Sequence, residues 1–379
     1  MAPDTKPSLL FLSPCTPRDG HTGLAMRALA TSQHLRRRHD VEVAAIDSFG
    51  SDFGTRLRRC VRFWAPAIAA YLPGAPSDWT AANAPTVAAV TRRNFDRVHV
   101  FRLAMAPCAS AFFGRCRCDL DLDELESWTR RDIAALAHRN RHYGLAAALS
   151  SEAAFYERAE REWLPRFDRV FTASRAEAER VAAVAPGVDV RIVPNVTFVT
   201  PKTPTLRQSE DFTLLFVGNL GYYPNHDAVV HLIRDILPRW NAHRHGAVRL
   251  VVAGGGASPR LQKLMARVPG VEYRGFMELL TSAYSQADVA IVPLRAGGGT
   301  RLKILEAFAH EVPVVATTKA AEGLDVVDGR ECLVGDTPDA IVHACERLLE
   351  NRSLGSSLAA QALAYVESRH GPSALDSLD

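Results

Sequence analysis

The sequence predicts an α/β protein built of two Rossmann-like, doubly wound domains facing each other across a cleft. Three observations predict it. Short apolar runs alternate with helical patterns of about 10–15 residues, which is how parallel strands covered on both faces by helices read. Glycine-bearing turns follow three of these runs directly, at Asp19–Gly23, Gly218–Gly221 and Gly254–Gly256. Residues 200–211 are polar, carry two prolines and lack apolar periodicity, so they divide the pattern in two. At 379 residues the chain suits two domains of about 150 residues each. The expected division is an N-terminal Rossmann-like domain over 1–203, a C-terminal Rossmann-like domain over 204–355, and a tail over 356–379 that packs back on the first domain.

In chain order, Ser8–Ser13 is a short apolar run of the kind that forms a buried parallel strand. The turn Pro14–Gly23, a helix from Leu24 to about Arg38 and a strand at Val41–Ile46 complete one βαβ unit. Arg97–Phe101 is strand-like, a helix spans Ser150 to Trp163, and Val170–Ser174 is a strand leading into another helix. Arg191–Asn195 ends the half. After the linker the alternation restarts with a strand at Phe212–Val217 and a helix from Asp227 to Trp240. Strands at Val248–Ala253, Val289–Leu294 and Val312–Ala316 follow, with helices after Gly256, Gly299 and Pro338, and a last helix at Leu354–Glu367.

Composition excludes several classes. Hydrophobic residues at 47% and charged residues at 23% are ordinary for a globular chain, which removes disordered and fibrous readings. A net charge of +3 is too small to make nucleic acid a partner. Seven cysteines without CxxC spacing are no disulfide framework, and Cys116 and Cys118 stand too close for a zinc-ligand pair. The apolar run Leu9–Leu12 is too short for a secretion signal, and no stretch approaches the ~18 apolar residues of a membrane span. The expectation is a reduced, cytoplasmic chain.

Each glycine turn allows a ligand close to backbone N–H groups at a helix start, an arrangement suited to phosphate, and each can equally serve packing alone. None fits G-x-G-x-x-G with an acidic residue about 20 positions on. The densest segment is Pro293–Ala309. It gives a strand end, three glycines, Thr300 as a capping residue, then a helix carrying Arg301, Lys303 and Glu306. Lys303 and Glu306 share a helix face. An exposed cation beside an intrahelical pair is one reading. Two cations next to open N–H groups also fit a diphosphate, and the glycines favour this one.

Residues 214–324 closely resemble the C-terminal domain of the group 1 (family 4) glycosyltransferases of the GT-B fold. The resemblance rests on Phe216–Asp227, Ala253–Gly256, Arg274–Phe276, Ala287–Leu294, Gly299–Ala307, Pro313–Thr317 and Glu322–Leu324. The N-terminal half is similar more loosely, at Asp119–Ser127 and Phe167–Ser174. The resemblance implies transfer of a sugar from a nucleoside diphosphate donor, UDP- or GDP-linked, with retention and with neither metal nor cofactor. By position Glu306 matches the second Glu of the family's Glu-x7-Glu motif and would bind the donor ribose. Arg301 and Lys303 would neutralise the leaving diphosphate, and the N–H groups of Gly298, Gly299 and Thr300 would cradle phosphate or sugar. Gly275 and Phe276 would meet the base; Gly218, Asn219 and Gly254 would line the donor pocket. Two departures stand out. Gly298 occupies the place of the first Glu, and Gly218–Gly221 replaces the family's usual Arg and Lys after the first strand of that domain.

On the acceptor side, Gly20, His21 and Gly23 form the first turn, with His21 as a proton relay or a free loop histidine. Arg102 is an acceptor or phosphate contact or else a surface ion pair. The run Asp119, Asp121, Asp123, Glu124, Glu126 reads either as a metal or general-base cluster, with Asp121 or Asp123 functional, or as alternate acids facing solvent at a strand end followed by an acid-rich first helix turn. Arg56–Trp64 is a basic stretch that suits an anionic membrane or, preferably, a solvated helix face. The expected acceptor is a small molecule or glycan, through a hydroxyl or an amine. The same fold also admits a nucleotide-sugar epimerase, a sugar phosphorylase or a non-catalytic nucleotide-sugar-binding partner subunit; the loss of the first Glu is what keeps the last in view.

Overall fold

A computed structural model of the chain describes residues 6–17, 23–46, 85–197, 212–243, 248–299 and 301–379. The expected linker, the basic stretch Arg56–Trp64, and Gly20, His21 and Thr300 lie outside the described residues. The chain divides into two compact units. Unit 1 comprises Met1–Asn195, Gly297–Thr300 and Ala374–Asp379; unit 2 comprises Val196–Ala296 and Arg301–Ser373.

Among the described residues, unit 1 holds strands β1 (Ser8–Ser13), β2 (Asp40–Ala45), β3 (Arg97–Phe101), β4 (Arg117–Asp123), β5 (Arg169–Thr172) and β6 (Val190–Ile192). They form one parallel sheet in the order β2-β1-β3-β4-β5-β6. The helices are α1 (Gly23–Leu35), α2 (Pro85–Thr91), α3 (Glu126–Arg139), α4 (Tyr143–Trp163) and α5 (Arg175–Val184). Leu9, Leu10, Phe11 and Leu12 are all fully buried. A strand covered on both faces has no polar side to alternate with, so β1 reads as an unbroken apolar run.

Strand β4 corrects the sequence reading. Its alternate acids do not face solvent: Asp119 and Asp121 are both fully buried. Leu120 and Leu122 occupy the opposite face, equally buried. Asp119 accepts from Arg97 Nε at 2.7 Å, from Arg169 Nε and Nη2 at 3.2 and 3.1 Å, and from Arg117 Nε at 3.4 Å. The Nη2 groups of Arg97 and Arg169 also donate to the carbonyl of Leu378, at 2.9 and 3.1 Å. Alternation here separates an apolar face from an ion-paired one, and both are inside.

Unit 2 holds β7 (Phe212–Val217), β8 (Val248–Ala253), β9 (Val271–Gly275), β10 (Val289–Val292), β11 (Val314–Ala316) and β12 (Leu333–Val334). Its parallel sheet runs β12-β11-β10-β7-β8-β9. The helices are α6 (Tyr223–His231), α7 (Leu237–His243), α8 (Pro259–Met265), α9 (Thr281–Ser285), α10 (Leu302–Ala309), α11 (Thr318–Ala321), α12 (Pro338–Glu350) and α13 (Arg352–Arg369). Helix α13 packs on α10 and α12. The strand order turns about β7 and β10, the point where open parallel sheets collect ligands at their carboxyl ends. The α/β architecture is the predicted one: two parallel sheets, each wrapped by its own helices. No described helix is long and apolar enough to cross a membrane.

Burial alone would raise the Asp119 carboxyl, but Arg169 and Arg97 outweigh it and hold it below the usual range. Asp119→Ala should therefore cost about 3–5 kcal/mol, because it strands buried guanidiniums without their counter-charge. Urea unfolding at pH 7 checks this. The contribution is present above the ordinary carboxylate pKa and disappears as pH falls through the lowered one, so wild type and variant should converge in acid.

Candidate functional site

The carboxyl ends of β7, β8 and β9 bring Gly218, Asn219, Gly254, Gly275 and Phe276 together within unit 2. Strand β7 ends at Val217 and passes into Gly218 and Asn219. Strand β8 passes into Gly254, and β9 ends at Gly275, followed by Phe276. Backbone bonds tie these ends: Gly218 N donates to Ala253 O at 3.0 Å, Leu220 N to Gly255 O at 2.8 Å, and Gly254 N to Gly275 O at 2.7 Å. Glycine is required at one of the positions, and at a second a side chain would crowd its neighbours. Gly254 has φ 134°, and a Cβ there would sit 2.0 Å from Gly218 O. A Cβ on Gly218 would sit 2.8 Å from Lys303 Nζ. The glycines of this edge thus serve close packing of the turns and leave room for a cation. Phe276 beside them is 58% exposed, an aromatic face open at the strand edge.

Helix α10 supplies the charges. Arg301 occupies its N-cap position and is buried. Lys303, half-buried, donates through Nζ to Asn225 Oδ1 at 2.6 Å and lies 4.6 Å above the Phe216 ring centroid. Burial, then the charge of Arg301, brings its ammonium down to about 7. One turn on, Glu306 accepts from the Tyr284 hydroxyl at 3.3 Å, and burial pushes its carboxyl up to about 7 against that bond. Tyr284 is itself fixed by stacking on His310, 4.6 Å between centroids. One cation and one acid on one helix face, both poised near neutrality, are what an anion beside a hydroxyl pair calls for.

Gly297–Thr300 counts with unit 1. Gly297 N donates to Asp132 Oδ2 at 2.8 Å. A Cβ on Gly298 would fall 1.9 Å from Thr129 Oγ1 and 2.7 Å from Glu124 Oε2. This is the physical reason a glycine stands where the resemblance expects glutamate: the space is taken. A Cβ on Gly299 would approach the same Glu124 carboxylate at 3.4 Å.

The acceptor-side candidates in unit 1 are placed as follows. Gly23 opens α1. Asp121 is fully buried and held by Arg27, which donates to it from Nε and from Nη2, the latter at 2.8 Å. It holds Arg27 rather than facing solvent. Arg27 also reaches Asn195 Oδ1 at 2.7 Å. Arg102 is no surface ion pair: at 15% side-chain exposure it donates to Asp123 at 3.0 Å, to Glu124 at 3.1 Å and to Glu126. Arg102 and Asp123 both have positive φ, 73° and 63°. Sequence reasoning missed Asn225, Phe216 and Tyr284. The first was legible only as the residue after Pro224 at a helix start, while the other two look like ordinary core aromatics. Among the described residues, no group of three or more His, Cys, Asp or Glu is placed to hold a metal ion.

Comparison with known proteins bears on this geometry. Residues 211–351 match the family model described as glycosyl transferases group 1. No curated protein matches the chain. Solved structures match its fold over nearly its whole length. A sucrose-phosphate synthase from Thermosynechococcus elongatus has a TM-score of 0.70 at 16% identity, covering 98% of this chain and 96% of that one. HepE from Anabaena, in complex with UDP and glucose, has a TM-score of 0.67 at 15% identity, covering 98% of both chains. The E. coli trehalose-6-phosphate structure bound with UDP-2-fluoro glucose has a TM-score of 0.67 at 13% identity, again covering 98% of both.

Restoring the missing acid tests the packing argument. Gly298→Glu should destabilise the protein by about 1–3 kcal/mol, the usual cost of overfilling a tight site, read as a fall in melting temperature. A variant as stable as the parent would contradict the crowding of Gly298 by Thr129 and Glu124.

Proposed function

We propose that this chain is a group 1 glycosyltransferase of the GT-B fold and moves a sugar from a nucleoside-diphosphate donor to an acceptor hydroxyl or amine with retention. The observation that carries the reading is the pairing of Lys303 and Glu306 on the first turns of α10, with Lys303 packed against the glycine end of β7. A UDP-sugar is the preferred donor, since structures of like fold are bound with UDP and glucose or with UDP-2-fluoro glucose; a GDP-sugar is the next choice.

In this reading Lys303, assisted by Arg301, takes the charge that builds on the departing diphosphate. Glu306 accepts hydrogen bonds from the ribose hydroxyls, and the exposed Phe276 ring and Gly275 meet the base. The bond from the anomeric carbon to the diphosphate oxygen breaks while a bond to the acceptor oxygen forms on the same face. The acceptor's proton passes to the departing phosphate, so no separate strong base is needed. Charge on the leaving group is met by side chains, and the reaction needs neither metal nor prosthetic group. Unit 1 supplies the acceptor side, with a small molecule or glycan as acceptor. The chain acts in the cytoplasm, where its cysteines stay reduced.

Purified protein incubated with UDP-, GDP-, ADP- or dTDP-sugars should release the nucleoside diphosphate, with EDTA present or absent. Lys303→Ala should lower kcat/KM by about 10²–10³, as for loss of one preorganised donor to developing charge. Absence of release with every donor, in the presence of candidate acceptors, would favour the non-catalytic partner subunit.

The pH dependence follows from the two perturbed groups. Binding needs Lys303 protonated, which fails above about 7, and Glu306 ionised, which fails below about 7. Calorimetric affinity for UDP-glucose should trace a bell centred near neutrality. Lys303→Met should leave only the acid limb, and Glu306→Gln only the alkaline one.

A further inference from the structure

Asn225 lies in the first turn of α6, is buried at 7% exposure, and stands far in sequence from the helix that carries Lys303. Its amide is fixed at both ends. Nδ2 donates to Asn219 O at 2.9 Å, which leaves Oδ1 to accept from Lys303 Nζ at 2.6 Å. A carbonyl oxygen cannot donate to another carbonyl oxygen, so this orientation of the amide follows from chemistry. The ammonium is then held on two sides, by the Asn225 oxygen and by the Phe216 ring beneath it, and a Cβ on Gly218 would fall 2.8 Å from Nζ.

The choice of an amide matters. Among the described residues no carboxylate lies within ion-pair distance of Lys303 Nζ, and Asn225 is its hydrogen-bond acceptor. An ammonium has three N–H donors, and Asn225 engages one of them. An aspartate of the same shape would hold the lysine equally well but would cancel its charge and repel an incoming anion. We infer that Asn225 is a positioning residue: its neutral amide aims the Lys303 ammonium at the donor diphosphate without setting a negative charge against it. Glu306, on the same helix face, attracts the ammonium only from beyond ion-pair distance. The inference rests on the reading of this site as a nucleotide-sugar donor site. It adds to that reading a second residue, outside helix α10, that decides whether the cation is available.

Asn225→Asp, which preserves size and shape, and Asn225→Ala test this through two readouts. The first is ligand-free: the rate at which acetic anhydride acylates Lys303 near pH 8, followed by peptide mass spectrometry. Asn225→Asp should slow it several-fold, because a carboxylate holds the proton on the amine. The second is calorimetric affinity for UDP-glucose between pH 6 and 9. Asn225→Ala should weaken it about tenfold, the loss of one hydrogen bond to a charged group. Asn225→Asp should weaken it at least as much and move the alkaline limb to higher pH. Unchanged acylation in Asn225→Asp, with the alkaline limb where wild type has it, would overturn the inference and leave Asn225 a packing residue, whatever the melting temperatures. Altered acylation in a wild-type background that binds none of the UDP-, GDP-, ADP- or dTDP-sugars would instead overturn the donor reading and keep the Asn225–Lys303 pair.

Discussion

A half-buried ammonium that, among the described residues, has no carboxylate at ion-pair distance is the constraint around which unit 2 is arranged. Lys303 sits half-buried over an aromatic ring, with an amide oxygen as its neighbour and Arg301 just before it at the helix cap. Burial of a charge is costly unless something compensates it; here the direct hydrogen-bond partner is neutral, and Glu306 attracts the ammonium only from beyond ion-pair distance. The ammonium responds by becoming easier to deprotonate. A site of that kind is incomplete by itself: a dianion brought against it recovers the charge's stabilisation. The glycines at 218 and 254 follow from the same constraint, since a side chain at either would fill the room the cation and the turns need.

Unit 1 solves the opposite problem. Its buried acids on β4 and its buried Arg102 are ion-paired. Asp119 is ringed by Arg97, Arg117 and Arg169; Asp121 is locked to Arg27; Arg102 is shared among Asp123, Glu124 and Glu126. Such networks fix geometry more than they add stability. Around Arg102 and Asp123 they hold two non-glycine residues at positive φ, a conformation that persists only when its surroundings determine it. The contrast is physical: the β4 acids and Arg102 in unit 1 are held in direct ion pairs, whereas Lys303 in unit 2 is held by an amide.

Much of this was legible in the sequence. The strands buried on both faces, such as β1, β7 and β8, announce themselves as predominantly apolar runs, interrupted only by Thr213 in β7 and Arg249 in β8 beyond the terminal serines of β1. The segment from Gly299 to Ala307 was readable as a helix start bearing a cation and an acid, because helical spacing alone puts Lys303 and Glu306 on one face. Strand β4 was not readable in the same way. Its alternating Asp and Leu look like a half-exposed strand, and only the distant arginines 27, 97 and 169, brought in by the fold, turn its acids inward. Asn225 was hidden for a similar reason: 78 residues separate it from the lysine it holds. Gly298 was visible as a departure from the motif, but its cause, Thr129 and Glu124 filling the space, is a contact no local pattern encodes.

The most direct test of the central claim is a crystal structure of the protein with UDP bound. The account predicts a phosphate oxygen within hydrogen-bond distance of Lys303 Nζ, the ribose hydroxyls on the Glu306 carboxylate, and the Asn225 amide with its oxygen turned to the lysine. A nucleotide seated elsewhere, with Lys303 still packed against Phe216 and no phosphate upon it, would contradict the account.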